Sequence, residues 1–255
     1  MLEISANKNS LSHLFDLKTA NSPMLFSVLK GLNPGKSLVD NLDSPTTCVV
    51  RNNEGWTFAC RNINEDLLRE SIHEYLKYGK VRLVWNEDTR LIPPKADNRV
   101  ERLEFTKHTF DAQLTQYLVS KLPSDFQIVS MDLQLLENCI WRDRVITACG
   151  TPENFIKNGL GFCIINKSVI VTEAYAPFFG ETTAELGVVT NKKYRGKGFA
   201  TIVCAHLIDK CKEKGYSSYW SCDKDNSDSI RVAKKLGFGG EKDYRLLVYN
   251  QPVIK

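Results

Sequence analysis

The chain has 255 residues, 42% hydrophobic and 25% charged, with a net charge of +4, the profile of an ordinary globular protein with ample length for a buried core. That charge is too small, and its Lys and Arg residues too dispersed, for a nucleic-acid partner to be expected; the lack of 18 consecutive apolar residues or a signal-like start argues against membrane insertion and secretion. The eight cysteines form no Cys-x-x-Cys pair, which argues against a structural zinc and for reduced thiols in a cytoplasmic protein.

Leu11, Leu14, Phe15 and Leu17 recur at helical spacing, and Ser22-Pro23 opens a second predicted helix whose buried face is Met24, Leu25, Val28 and Leu29. Gly31-Leu-Asn-Pro-Gly-Lys-Ser37 imitates a nucleotide phosphate loop, but three residues rather than four separate the first glycine from Gly-Lys-Ser. A helix rather than a strand precedes it, so a Pro-Gly turn leading into strands is the better reading. Segments 46–51 and 56–60 predict a hairpin across 52–55. Asn64 caps a predicted helix over 65–78, ended by Gly79, and 81–85 predicts a buried strand. After a polar break at 86–98, the pattern predicts a strand over 100–109 and a short helix over 114–122. The stretch 121–125 is the expected boundary between an N-terminal domain, 1–124, and a second domain, 125–255.

In the second half, a helix is predicted over 131–141, and Thr151-Pro152 starts a short one ended by Gly159. Strands are predicted at 160–165 and 168–175, joined by a turn at Asn166-Lys167, and again at 183–190. A long helix over 198–214, a strand at 217–222, a helix over 227–236 and a strand at 245–250 complete the chain. This order predicts an α/β (α+β) fold with a mixed sheet and helices on its faces.

The most informative stretch is 184–205. An apolar, β-branched strand ends at Thr190, and Arg195-Gly196-Lys197-Gly198-Phe199-Ala200 follows, leading into a helix. Strand, glycine loop and helix start together make an anion site: first-turn N–H groups lack intrahelical acceptors, and the macrodipole adds positive charge there. Arg195 and Lys197 add full charges.

In that setting Arg195, Gly198 and Ala200 resemble the Gln/Arg-x-x-Gly-x-Gly/Ala acyl-CoA loop of the GNAT N-acetyltransferase superfamily. A second block, Asn226 to Phe238, is similar to that superfamily's last helix, which opens near an Asn and closes with Gly-Phe. The stretches 26–36, Glu185-Leu-Gly-Val-Val-Thr190 and Tyr219-Trp-Ser-Cys-Asp223 resemble the two-domain branch that includes zwittermicin resistance acetyltransferases. The superfamily resemblance covers roughly 125–255; the branch resemblance covers most of the chain with less specific motifs.

The resemblance implies a mostly antiparallel GNAT-type sheet flanked by helices, preceded by a smaller α/β domain that shapes the acceptor site or a dimer contact. It implies acetyl-CoA as co-substrate, no metal, and a small amine as acceptor. Arg195, Gly196, Lys197, Gly198, Phe199, Ala200 and Thr201 would hold the pyrophosphate. Val188, Val189 and Thr190 would pair with pantetheine and polarise the thioester carbonyl, and Asn226 would lie near the CoA arm. Direct attack requires a deprotonated amine, for which Glu185 is the first candidate base and Glu173 the second. The tyrosine that many members place seven residues after the Asn is Ala233 here, which leaves the acid open among a water, Tyr219, Tyr244 or none.

His73, His108 and His206 read as structural, Cys222 as a packing residue, and Trp220 as core more readily than as an acceptor-pocket wall. A non-catalytic acyl-CoA-binding module, and an O-acyl or longer-acyl transferase, stand as the alternatives.

Overall fold

The strand-forming runs of this sequence hydrogen-bond edge to edge into one sheet, and its helices cover both faces. The structure, a computed structural model, describes residues 1–5, 9–85 and 91–250. In chain order its elements are β1 (Leu2–Ser5), a 3-10 turn (Asn9–Leu14), α1 (Ser22–Leu29), β2 (Gly35–Val39), β3 (Cys48–Asn52), β4 (Trp56–Ala59), α2 (Glu65–Leu76) and β5 (Val81–Trp85). There follow β6 (Asn98–His108), α3 (Ala112–Ser120), β7 (Phe126–Ser130), α4 (Leu133–Leu136), α5 (Arg142–Cys149), α6 (Pro152–Asn158), β8 (Leu160–Asn166) and β9 (Val169–Phe179). The last are β10 (Thr183–Thr190), a 3-10 turn (Lys192–Tyr194), α7 (Phe199–Glu213), β11 (Ser217–Asp223), α8 (Ser227–Lys235) and β12 (Phe238–Tyr249).

The sheet has twelve strands among the described residues, in the order β1-β2-β3-β4-β5-β12-β6-β11-β10-β9-β8-β7. Neighbours are antiparallel except at β4/β5 and β10/β11. β12 and β6 sit in the middle, so the sheet runs unbroken from the first half of the chain into the second.

Strand pleating divides the interior into two layers. Cys163, Tyr175 and Phe178 point into a core with α1 and α5, whereas Ile164, Ala174, Ala176 and Phe179 point into a core with α7. Covered on both faces, β9 is buried from Val171 to Phe179, which is why its sequence shows no strict apolar–polar alternation; its polar members there, Thr172 and Glu173, are buried and hydrogen-bonded. α1 is buried from Pro23 to Leu29 and packs on β9 and β10; α7 packs across β8, β9, β10 and β11. α2 covers the N-terminal strands with Leu68, Ile72 and Tyr75.

Several elements depart from the sequence expectation. The helix expected over 131–141 is replaced by α4, a turn and then α5, an element the pattern did not suggest, as are β1 and β7. The break has a clear cause: the buried Glu173 carboxylate on β9 accepts the backbone N–H of Ile140 at 2.9 Å and of Trp141 at 2.7 Å. A carboxylate fixed at this turn rewards its backbone for leaving the helix. At the start of α1 the N-cap is Asn21 rather than Ser22, in a left-handed conformation with φ 56°. Its side chain makes no capping bond because Tyr244 and Ser221 engage it instead. β12 begins at Phe238, earlier than its apolar end suggested, because β6 pairs with it along its length.

Candidate functional site

β10 and β11 run side by side only from Thr183/Ser217 to Glu185/Tyr219. Beyond Glu185, β10 carries on to Thr190 paired, among the described residues, with β9 alone. A cleft of about 650 Å³ opens where the two strands part. A bulge in the β9 pairing between Glu185 and Gly187 marks the same point. Gly187 is required there, since a Cβ would come within 2.8 Å of the Tyr175 ring.

One end of the cleft is the start of α7. Gly196 (φ 76°) and Gly198 (φ 85°) take left-handed conformations, and a Cβ on either would meet no atom within 4 Å, so the loop backbone faces open space. Gly198 caps α7 without a side-chain bond, which leaves the first-turn N–H groups of Phe199, Ala200 and Thr201 with no intrahelical acceptor. Arg195 is tethered through its Nε to the Thr190 carbonyl at 3.2 Å. On the opposite wall, α8 brings Asn226, Arg231 and Lys235 to the rim; the Asn226 side chain caps that helix by accepting from Ser229 N at 3.0 Å. Of the residues singled out from sequence, Glu185, Val188, Val189, Thr190, Arg195, Gly196, Gly198, Phe199, Ala200, Thr201 and Asn226 all line this one cleft. Lys197, exposed, is not part of that lining; its Nζ lies 5.6 Å from the centre of the ring of Tyr194, which is.

At the other end, where the strands diverge, lies Glu185. It is buried, 5% exposed, and among the described residues its carboxylate accepts no hydrogen bond. Burial pushes its pKa up to about 7; Arg144 and Arg102 pull against that shift, and Glu54 adds to it. Glu173, by contrast, is committed to the Ile140–Trp141 turn and does not line the cleft.

Residues around Glu185 went unremarked in the sequence. Glu54, in the turn between β3 and β4, accepts from Arg144 Nε at 3.2 Å, while its other carboxylate oxygen is buried without a partner. Burial raises its pKa. Arg144 stacks over Trp141 at 4.7 Å, and Arg102 over Trp56 at 5.3 Å; all four line the cleft. Arg102 is braced by Tyr244 Oη at 3.0 Å, Ser221 Oγ at 3.3 Å and the Asp223 carboxylate. That brace belongs to a buried network in which Tyr219 donates to Glu104 at 2.6 Å and accepts the Asn21 N–H at 2.8 Å. Asn21 in turn donates to Tyr244 at 2.7 Å. Local pattern did not signal Glu54, Arg102 and Arg144 together, because they lie in separate segments that the folded sheet brings to one cleft.

The other residues weighed earlier fall into place. Ala233 is fully buried in α8, and neither Tyr219 nor Tyr244 lines the cleft. Trp220 and Cys222 do line it; Trp220 Nε1 donates to Ser229 Oγ at 3.0 Å, and burial raises the Cys222 thiol pKa. His108 stacks on Phe238 at 4.0 Å and His206 sits against Phe162 at 4.6 Å. All eight cysteines are free and buried. Among the described residues no three His, Cys, Asp or Glu side chains are grouped so as to hold a metal ion, and no helix is long and apolar enough to cross a membrane.

Known proteins share this architecture. A GNAT-like protein from Streptococcus suis superposes with a TM-score of 0.69 over 95% of this chain and 97% of its own, at 22% identity. A tandem GNAT protein from the clavulanic acid pathway superposes with a TM-score of 0.59 over 98% and 97% at 10% identity. At these identities the likeness is one of fold. The uncharacterized N-acetyltransferase YdfB of Bacillus subtilis is 36% identical over 92 residues, a match that spans 36% of this chain and 35% of that protein. The sequence profile of the GNAT acetyltransferases matches residues 12–247, nearly the whole chain, and the protein belongs to that family.

Proposed function

We propose that the protein is an acetyl-CoA-dependent N-acetyltransferase that moves an acetyl group to a small amine by direct attack on the thioester, with Glu185 as the base. The observation that carries this reading is the position of Glu185: unpaired, buried, with a pKa of about 7, at the point where β10 and β11 part, in the same cleft as the open start of α7. A carboxylate with that pKa is half-deprotonated near neutrality, which suits a group that must take a proton from an ammonium or through a water.

The donor end fits acetyl-CoA on chemical grounds. The glycine-lined loop and the free N–H groups of α7 suit a pyrophosphate. Arg195 is at hand for the same anion, and Arg231 and Lys235 give two more cations at the rim for the nucleotide's remaining phosphate. The edge of β10 from Val188 to Thr190, which among the described residues has no strand partner on the cleft side, suits the amides of pantetheine, and its N–H groups suit a carbonyl that gains negative charge. Bound there, acetyl-CoA supplies an activated acyl carbon; the protein's part is to hold it, to exclude water and to take the amine's proton at Glu185.

The division at residue 124 enters this reading as a division of labour. Met24, Trp56 and Arg102 from 1–124 join Trp141, Arg144 and Glu185 at the acceptor end, and 125–255 alone contributes β10, α7 and α8 at the donor end.

The test is thiol release from acetyl-CoA by the full chain against a panel of amines, alongside calorimetric binding of acetyl-CoA. Release with one or more amines supports the reading. Tight binding with no release from any amine would overturn it in favour of a non-catalytic acyl-CoA-binding module.

A further inference from the structure

The acceptor end of the cleft carries two guanidinium groups in different states. Arg102 has a partner on each of its three nitrogens: Nε donates to Tyr244, Nη2 to Ser221 and Nη1 to Asp223. Arg144 does not. Its Nε donates to Glu54 at 3.2 Å and its plane lies 4.7 Å over Trp141, but among the described residues Nη1 and Nη2 donate to nothing. The Arg144 side chain is 42% exposed, and the residue lines the cleft together with Glu185.

An open Nη1/Nη2 edge is a rigid fork whose two parallel N–H groups match the two oxygens of a carboxylate. Trp141 beneath the plane and Glu54 behind Nε fix its direction, so little ordering is left for a ligand to impose. In the same cleft the Glu185 carboxylate accepts no hydrogen bond among the described residues, and a carboxylate is the complement of an amine. A second ammonium on the acceptor would meet the Arg144 and Arg102 guanidinium groups, and a dianion would meet the Glu54 carboxylate behind Arg144.

We propose, resting on the acetyl-transfer reading above, that the acceptor is an amine bearing a carboxylate, an amino-acid-like compound whose amine faces Glu185 and whose carboxylate is held by the free edge of Arg144. Chemically the transfer is ordinary amide formation: the amine nitrogen bonds to the acetyl carbon, the carbon–sulfur bond breaks, CoA leaves as the thiol or thiolate, and the amine's proton passes to Glu185. The Arg144 pair stays intact throughout.

Thiol release by the full chain in matched acceptor series tests this. Each series holds an L-amino acid, its amide and its decarboxylated amine, with β-alanine, O-phosphoethanolamine and 1,3-diaminopropane added to separate carboxylate, phosphate and second-ammonium acceptors. In the best series the carboxylate member is expected to lead in kcat/KM by about 10- to 100-fold, the scale of a charge-assisted bidentate contact. That ratio should collapse towards one in Arg144→Gln and return in part in Arg144→Lys, with acetyl-CoA binding confirming that each variant is folded. Equal or better use of the amide, the decarboxylated amine, the phosphate or the diamine would overturn the inference and leave acetyl transfer standing, as would a preference that survives in Arg144→Gln. No release with any amine would remove the acetyl-transfer reading and this inference with it.

Discussion

Replacing Glu185 with Gln separates what this side chain costs the fold from what it does in the reaction. The carboxylate is 5% exposed, and its pKa stands at about 7 against an ordinary 4.5. At 1.36 kcal/mol for each pH unit, that difference amounts to roughly 3 kcal/mol of destabilisation once the group is ionised in the folded state. The sign follows from proton counting. Between about pH 4.5 and 7 the folded chain holds this proton more tightly than the unfolded chain, so the contribution to stability falls as pH rises through that window and levels off above it. Glutamine has the same shape and no charge to bury. Glu185→Gln should therefore match the wild type near pH 4.5 and exceed it above pH 8 by up to about 3 kcal/mol, roughly 6–12 °C in melting temperature for a chain of this size. Over the same range its acetyl-transfer rate should fall about 10²- to 10⁴-fold, the usual contribution of a positioned base. Wild-type activity should rise with pH through about 7 and level off. Melting curves and initial rates at pH 5, 7 and 8.5 decide the matter. A stability difference that does not grow with pH would refute the buried-carboxylate argument, and an unchanged rate would remove Glu185 from the mechanism.

Gly198→Ala puts a methyl group into the open space beside the start of α7 and forces a left-handed residue, at about 1 kcal/mol. Acetyl-CoA affinity measured by calorimetry should drop about tenfold, and an unchanged affinity would place the phosphates elsewhere. Gly187→Ala drives a Cβ to within 2.8 Å of the buried Tyr175 ring and should destabilise by about 1–3 kcal/mol, read as a lower urea midpoint. Asn21→Ala strips hydrogen-bond partners from Tyr244 and Ser221 inside the protein and should cost about 2–4 kcal/mol; a variant as stable as the wild type would mean that the network adds nothing to the fold.

The residues proposed for the donor end could be singled out from the sequence because the chemistry they offer is local. A strand, a glycine loop and a helix start must follow one another to aim backbone N–H groups at an anion, so Thr190, Arg195, Gly198 and Thr201 lie within a dozen residues. The β10–α7–β11–α8 order was legible for the same reason. α5 was not, because the break before it depends on Glu173, more than thirty residues away, reaching the Ile140 and Trp141 amides.

The acceptor end could not have been read this way, and the sheet order explains why. β12 and β6 occupy the centre, so strands from the two halves of the chain become neighbours across more than a hundred residues of sequence. Arg102 on β6 thereby meets Asp223 and Ser221 on β11, while the β3–β4 turn carries Glu54 to Arg144 on α5. The pKa of Glu185 is a product of this same arrangement: burial raises it, Arg144 and Arg102 restrain it, and Glu54 adds to it. Glu185 could be named from the strand that bears it. Its proton affinity depends on Arg144, Glu54 and Arg102, three residues from separate elements, and so belongs to the assembled sheet rather than to β10.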